Sequence, residues 1–368
     1  MTIQFLKNLD SIDPYIGGMP IEELSRKISI PQDKIIKLAS NENPYGISPH
    51  VKEALINFNE YELYPDGAGY NLIQKIAAYF KLETNQIVIG NGSNDILELT
   101  ARIVLDQDSD VIFSEHAFAV YGLVTKAMGA NEVIVRAKNY AHDLEGFLNK
   151  ITPKTKLIFL ANPNNPTGTI IEKKSLFSFL TNVPDHILVV LDEAYEEYLD
   201  EDLRSDSFKW LDEFNNILIS RSFSKAYGLA SLRVGFGAAS KIIIDKINQI
   251  RQPFNVNSIA QLAALTSLSD IEFIKDSARK NREQKKYLEN SFDLLGIDYI
   301  KSYGNFISFS LENEINAQGC YDYLLNKGII LRPIANYGMP EFLRVSIGRG
   351  YENKMFIDCL TEFMGKIK

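Results

Sequence analysis

Cysteine is scarce in this chain of 368 residues: Cys320 and Cys359 are the two, and both fall in segments of helical pattern. That argues against a disulfide framework and fits a reducing compartment. Long apolar runs are missing as well. Nothing approaches the length needed to span a bilayer, and Met1–Asn8 has no basic stretch followed by an apolar one. The expected location is cytoplasmic. Positive charge is in deficit, with 39 Lys and Arg against 47 Asp and Glu, a net charge of -8. A nucleic-acid surface would need a basic field, so that class is disfavoured. Small anionic ligands would have to be met by local arginines. No metal site is expected.

What remains is ordinary globular composition, 45% apolar and 23% charged. The length exceeds what one undivided core usually holds, so a large and a smaller domain are expected. Residues 1–40 read as an N-terminal arm and entry segment, with a turn cluster at Asp13–Gly18. From there short runs rich in Ile and Val alternate with helical patterns. The runs are Ile87–Ile89, Val111–Phe113, Glu132–Arg136, Leu157–Leu160, Ile187–Leu191 and Ile217–Ile219. Such alternation predicts an α/β fold, a mostly parallel central sheet between helices, over 41–268. A long charged helix over 270–292 then leads into a smaller α+β domain, 269–368, with strands near Ile307, Ile329 and Leu343.

One stretch, Ile217–Gly237, concentrates the chemistry. An apolar run enters a hydroxyl-rich turn with Ser222 and Ser224, then Lys225, then Arg233 eight positions later. Two hydroxyls, an amine and a guanidinium so close together could hold a phosphate beside a reactive lysine, as a pyridoxal phosphate (PLP) site requires. A surface turn with a lysine is the competing reading. Other motifs decide between them. Gly90–Asp95 is a glycine turn between a strand and a helix, and backbone N–H groups at a helix N-terminus attract phosphate. It lacks the last glycine of a dinucleotide fingerprint and the Lys-Ser/Thr of a Walker loop. Asn162–Gly168, with two Asn-Pro steps, forms a rigid turn at the end of a strand, where open α/β sheets bind ligands. Asp192 ends the strongest apolar run; it is either a helix cap or a partner for a protonated pyridine nitrogen, with Tyr195 three residues on. Arg332 and Arg344 stand in or beside strand patterns, where a guanidinium is costly unless paired with an anion or a carboxylate.

As a set and in this order, N-N-P-T-G, D-E-A-Y and S-F-S-K with a downstream arginine resemble the fold-type I PLP-dependent aminotransferases, from about Leu38 to the C-terminus. Within that group the chain is similar to the histidinol-phosphate aminotransferases. The segments carrying this are Asp13–Tyr15, Leu38–Gly46, Tyr64–Gly67, Glu115–Tyr121 and Phe342–Gly348. The resemblance implies that Lys225 links covalently to the cofactor and moves the proton. It implies that Asp192 meets the pyridine nitrogen, Tyr195 and Asn165 the ring hydroxyl, and Phe118 the ring face. Ser93, Asn94, Ser222, Ser224 and Arg233 would hold the phosphate, joined by Tyr64 from the partner subunit of a homodimer. Arg344, assisted by Tyr15 and Arg332, would take the carboxylate of glutamate and the phosphate of histidinol phosphate. Ser222 stands where that family often has threonine, which keeps the hydroxyl. The expected reaction is transamination between histidinol phosphate and 2-oxoglutarate. An aromatic amino acid aminotransferase, a PLP decarboxylase of a phosphorylated amino acid, and a non-catalytic PLP-binding regulator stay open as alternatives.

Overall fold

The computed structural model describes residues 3–15 and 17–367; Met1, Thr2, Lys368 and, in the Asp13–Gly18 turn cluster, Ile16 lie outside the described residues. After a helix at Ile21–Ile28, strand β1 (Ile36–Lys37) leads into the loop that opens the rest of the chain.

Seven strands then form the main sheet: β2 (Ile87–Gly90), β3 (Asp110–Ser114), β4 (Asn131–Val135), β5 (Thr155–Ala161), β6 (Leu188–Asp192), β7 (Ile217–Ser222) and β8 (Gly235–Ala239). Their spatial order is β2-β8-β7-β6-β5-β3-β4. Every pairing is parallel except the two made by β8, which runs against both β2 and β7. The continuous apolar runs follow from burial on both faces. Along β6, Val189 and Leu191 pack into one core while Leu188 and Val190 pack into the other.

Strand β8, G-F-G-A-A, carries no strand signature in the sequence, because glycine and alanine are poor strand formers. Close approach explains the composition. A Cβ on Gly235 would lie 2.6 Å from the Ser93 amide nitrogen, and one on Gly237 would lie 2.8 Å from Ile96. The helix Ser93–Val104 therefore sits directly on this strand. The reversal has a functional result. The start of β8, and Arg233 before it, lies at the carboxyl ends of β7 and β2, since Gly235 pairs with both Ser222 and Gly90.

The C-terminal region builds a second core around Phe292, Phe309 and Phe356. It holds β9 (Phe306–Ser310), β10 (Ile329–Ile330), β11 (Arg332–Pro333) and β12 (Phe342–Ser346). Strands β11-β12-β9 are antiparallel, and β10 pairs in parallel with β1. Leu38 also enters this core, so the entry segment is tied to the C-terminal region by both pairing and packing. Cys320 lies in the helix Glu314–Asn326, with Asn313 accepting from the Asn316 amide as its cap.

Among the described residues, no helix is long and apolar enough to cross a membrane.

Candidate active site

Parallel strands end at one edge of the sheet, and the loops leaving β2, β5, β6 and β7 meet there. They enclose, with β11 and β12, a cavity of about 240 Å³. Thirteen of the fourteen residues expected at the site line it; Tyr64 does not. Tyr64 is exposed and stacks on Phe254 with ring centroids 4.9 Å apart.

One end is built for an anion. Ser222 Oγ accepts from the Ser224 amide at 3.1 Å, and Arg233 donates to Ser224 Oγ at 3.3 Å. Arg233 has a positive φ of 56°, which aims it back across the turn. Gly92 makes room for it, because a Cβ there would sit 2.7 Å from the guanidinium. The amides of Ser93 and Asn94 open their helix beside this group.

The middle holds the ionisable groups. Asp192 is buried; Tyr121 donates to its Oδ2 at 2.9 Å, and Oδ1 is buried without a hydrogen-bond partner. Burial pushes this carboxyl up to about 6, against the pull of the Tyr121 hydroxyl and the Ala194 amide. Tyr195 accepts at its hydroxyl from Asn41 Nδ2 at 2.9 Å. Burial raises Tyr195 to about 12, so it keeps its proton and is a donor. Lys225 donates to the Ser40 carbonyl at 3.2 Å, and its amine lies 5.7 Å from the Tyr195 ring centre. Burial first, then the Arg344 charge, bring Lys225 down to about 8.

The far end is guanidinium. Arg344 and Arg332 are directly paired across β12 and β11, an arrangement that like charges disfavour unless an anion is to sit between or before them. Arg344 donates to Asn165 Oδ1 and, at 2.9 Å, to the Ala39 carbonyl; its Nε is buried without a partner. Asn165 thus bonds Arg344 through its oxygen and keeps its amide N–H groups to offer a ligand. Arg332 lies over the Tyr15 ring, 5.6 Å from the centroid.

These residues fit pyridoxal phosphate. An orphaned buried carboxylate oxygen suits a protonated ring nitrogen, the Gly92 and Arg233 cradle suits a phosphate, and an amine of lowered pKa suits an aldehyde. Among the described residues, no cluster of His, Cys, Asp or Glu could hold a metal ion.

Two site residues were missed in the sequence, Tyr121 and Asn41. Both lie in the motif segments that carry the resemblance, but their work is to hold Asp192 and Tyr195, and a hydrogen bond spanning 71 or 154 positions leaves no mark in local spacing.

Behind Asp192 lies a buried ionic cluster. Arg221 donates to Glu193 at 3.0 Å and to Glu197 at 2.8 Å, with its guanidinium over Phe80 and Phe208. Glu196 is buried beside them; burial first, then Glu193, push its carboxyl up to about 8. A carboxyl raised in the folded state holds a proton that the unfolded chain has lost, so it costs stability as pH rises from the ordinary carboxylate range to about 8. Glu196→Gln should therefore flatten the decline in melting temperature across that window and be the more stable protein at its upper end. Thermal melts of both proteins in a pH series check this; parallel curves would remove Glu196 as the source.

The chain matches the family described as aminotransferase class I and II over residues 33–359. It is 49% identical over 358 residues to the histidinol-phosphate aminotransferase of Methylobacillus flagellatus, covering 97% of this chain and 96% of that one. It is 47% identical to histidinol-phosphate aminotransferase 2 of Pasteurella multocida, covering 98% of each. Among solved structures, the fold overlays on that of the Sinorhizobium meliloti histidinol-phosphate aminotransferase in complex with pyridoxal-5'-phosphate, with TM-score 0.91 at 24% identity, covering 100% of this chain and 99% of that one. The enzyme of the same name from Clostridium acetobutylicum gives TM-score 0.82 at 26% identity, covering 90% and 100%. With a cavity of this chemistry and kinship along nearly its whole length, the chain belongs to the class I and II aminotransferases, within the histidinol-phosphate aminotransferase family.

Proposed function

We propose that this protein transfers the amino group between L-histidinol phosphate and 2-oxoglutarate, giving imidazole acetol phosphate and L-glutamate, in histidine biosynthesis. The observation that carries the reading is the pairing of Arg344 with Arg332 across the cavity from Lys225 and Asp192, in a chain so close to enzymes of that name. One anion-binding end can then serve two substrates in turn, the carboxylates of glutamate and 2-oxoglutarate and the phosphate of histidinol phosphate.

Pyridoxal phosphate, when bound, supplies an electrophilic aldehyde and an electron-withdrawing ring. Asp192 would hold the ring nitrogen in its charged form, and Tyr195 would donate to the ring hydroxyl while Asn41 supports it. Asn165 would assist through its amide, and Phe118 would cover the ring face. Ser93, Asn94, Ser222, Ser224 and Arg233 would bind the phosphate. Lys225, brought down to about 8, has an appreciable neutral fraction near pH 7 and can attack a carbonyl. It would then move the proton from the substrate's α-carbon, a role that needs a base near neutrality. Tyr15 and Arg332 would assist Arg344. Tyr64, exposed on this chain, would reach a neighbouring site across a homodimer. The cytoplasm is the proposed location, in keeping with two cysteines and no disulfide framework.

Steady-state kinetics with 2-oxoglutarate as acceptor test the substrate. Histidinol phosphate should exceed phenylalanine in kcat/KM by roughly 10-fold or more, because its phosphate offers three oxygens and more charge to the Arg344 and Arg332 pair than a single carboxylate does. A preference for phenylalanine would overturn the substrate while leaving the reaction class.

A further inference from the structure

Asp192 must present a charged oxygen to a ligand from inside a core, and the structure points to the group that makes it do so. Tyr121 is fully buried in the helix Ala119–Ala127, one turn after Phe118. Its ring stacks on Phe159 of β5, with centroids 4.6 Å apart and planes 3° from parallel, and meets Phe118 edge-on at 5.9 Å. These contacts leave the ring no freedom to swing, and they aim its hydroxyl at Asp192 Oδ2, 2.9 Å away. The second carboxylate oxygen, Oδ1, is buried without a partner on the wall of the cavity.

We propose that Tyr121 is a positioning residue for cofactor binding: it anchors one oxygen of Asp192 so that the other is fixed, ionised, toward the ring nitrogen. The proposal rests on the pyridoxal phosphate reading of the cavity. A neutral hydroxyl donating to a carboxylate favours the charged form, and it also fixes which oxygen is free. Among the other groups around Asp192, the Ala194 amide also favours the charged form, but Tyr121 is the side chain bonded to one named oxygen. Burial drives Asp192 toward its protonated form and Glu193 adds to this, while Lys225 opposes both across the cavity. The helix start thereby couples two functions, since the same turn that places Phe118 on the cavity wall places Tyr121 on the carboxylate.

Tyr121→Phe deletes one oxygen and keeps the stacked ring. Phe159→Leu loosens the same packing and keeps the hydroxyl. Cofactor affinity is read by titrating each apoprotein with pyridoxal phosphate. The ionisation of Asp192 is read in the apoproteins by the infrared band of the protonated carboxyl, assigned by its loss in Asp192→Asn. Tyr121→Phe should weaken cofactor binding by ~10-fold, about 1.4 kcal/mol, as expected for losing a hydrogen bond to a charged group. The Asp192 midpoint should move upward, and kcat should fall while KM for both substrates changes less than about twofold. Phe159→Leu should lower thermal stability and move the Asp192 midpoint by clearly less than Tyr121→Phe does, since the hydroxyl is kept. Unchanged affinity and midpoint in Tyr121→Phe, or equal shifts in both variants, would overturn the proposal and leave Tyr121 a packing residue. Should the wild type itself fail to bind pyridoxal phosphate, the reading beneath falls, and the infrared comparison still decides whether Tyr121 controls Asp192.

Discussion

Lys225→Ala is expected to abolish transamination, by at least ~10⁴-fold, and to remove the visible absorption of the bound cofactor. The size follows from two roles in one atom. Among the described residues the amine is the only lysine nitrogen lining the cavity, so no neighbouring lysine there can replace it as nucleophile or as base for the same proton. The loss should not come from unfolding. A lysine brought down to about 8 by burial is a cation held at a cost, and the folded protein binds fewer protons than the unfolded chain between there and the ordinary lysine range. That deficit makes wild-type stability rise with pH across the same interval. Alanine removes the titrating group, so the variant apoprotein should melt no lower than wild type below pH 8 and lack that rise. Absorption spectra, single-turnover rates and thermal melts together check the prediction. A colourless wild type, or a variant with substantial turnover, would sink the assignment of Lys225.

Much of the sheet was legible because its strands are buried on both faces. A run such as Ile187–Leu191 has no polar residue to break it, and the expected strand differs from the observed β6 by one residue. The carboxyl-edge rule pointed to the Asn162–Gly168 turn as a ligand site, and Asp192 and Ser222 end their strands at the same cavity. Strand β8 was not legible, since its glycines and alanines answer to the helix lying on it, not to a strand's own preferences. The same holds for β1 and β11, two-residue strands that exist only through their pairing partners.

The candidate site was legible where one residue carries the chemistry in its own side chain, as in Lys225 and Asp192. It was hidden where a residue acts through another. The loop that starts at Leu38 shows this best. The backbone carbonyls of Ala39 and Ser40 accept from Arg344 and Lys225, and Asn41, at a positive φ of 55°, bonds both Tyr195 and Ser346. Two adjacent peptide groups thus meet the cations from opposite ends of the cavity. Carbonyls have no sequence signature, so this convergence appears only once the loop after β1 is seen tied to the end of β12, with the Ser346 amide donating to the Leu38 carbonyl.

Arg344→Lys should reduce kcat/KM for both amino donor and acceptor by roughly 10²–10³-fold while the cofactor still binds. Charge is retained in this substitution, so any loss measures geometry. The guanidinium is buried, spread over the Phe306 ring at 5.3 Å, and anchored by Asn165 and the Ala39 carbonyl, which leaves Nε as the donor without a partner. An incoming anion meets a planar group already oriented, and little side-chain freedom is lost on binding. A lysine there has one compact head group, which cannot bond Asn165, the Ala39 carbonyl and a substrate oxygen in one plane. Burial also holds Arg344 below its ordinary value, and the same burial would act far more strongly on an ammonium, whose pKa shifts readily. The lysine variant should therefore lose its remaining activity as pH rises, where wild type does not, because a neutral amine gives the anion no charge to meet. Kinetics of each half-reaction across pH, with the cofactor spectrum recorded alongside, separate this from a defect in cofactor binding. Equal loss for donor and acceptor would place both anions on this one residue; a loss confined to one of them would assign the other to Arg332.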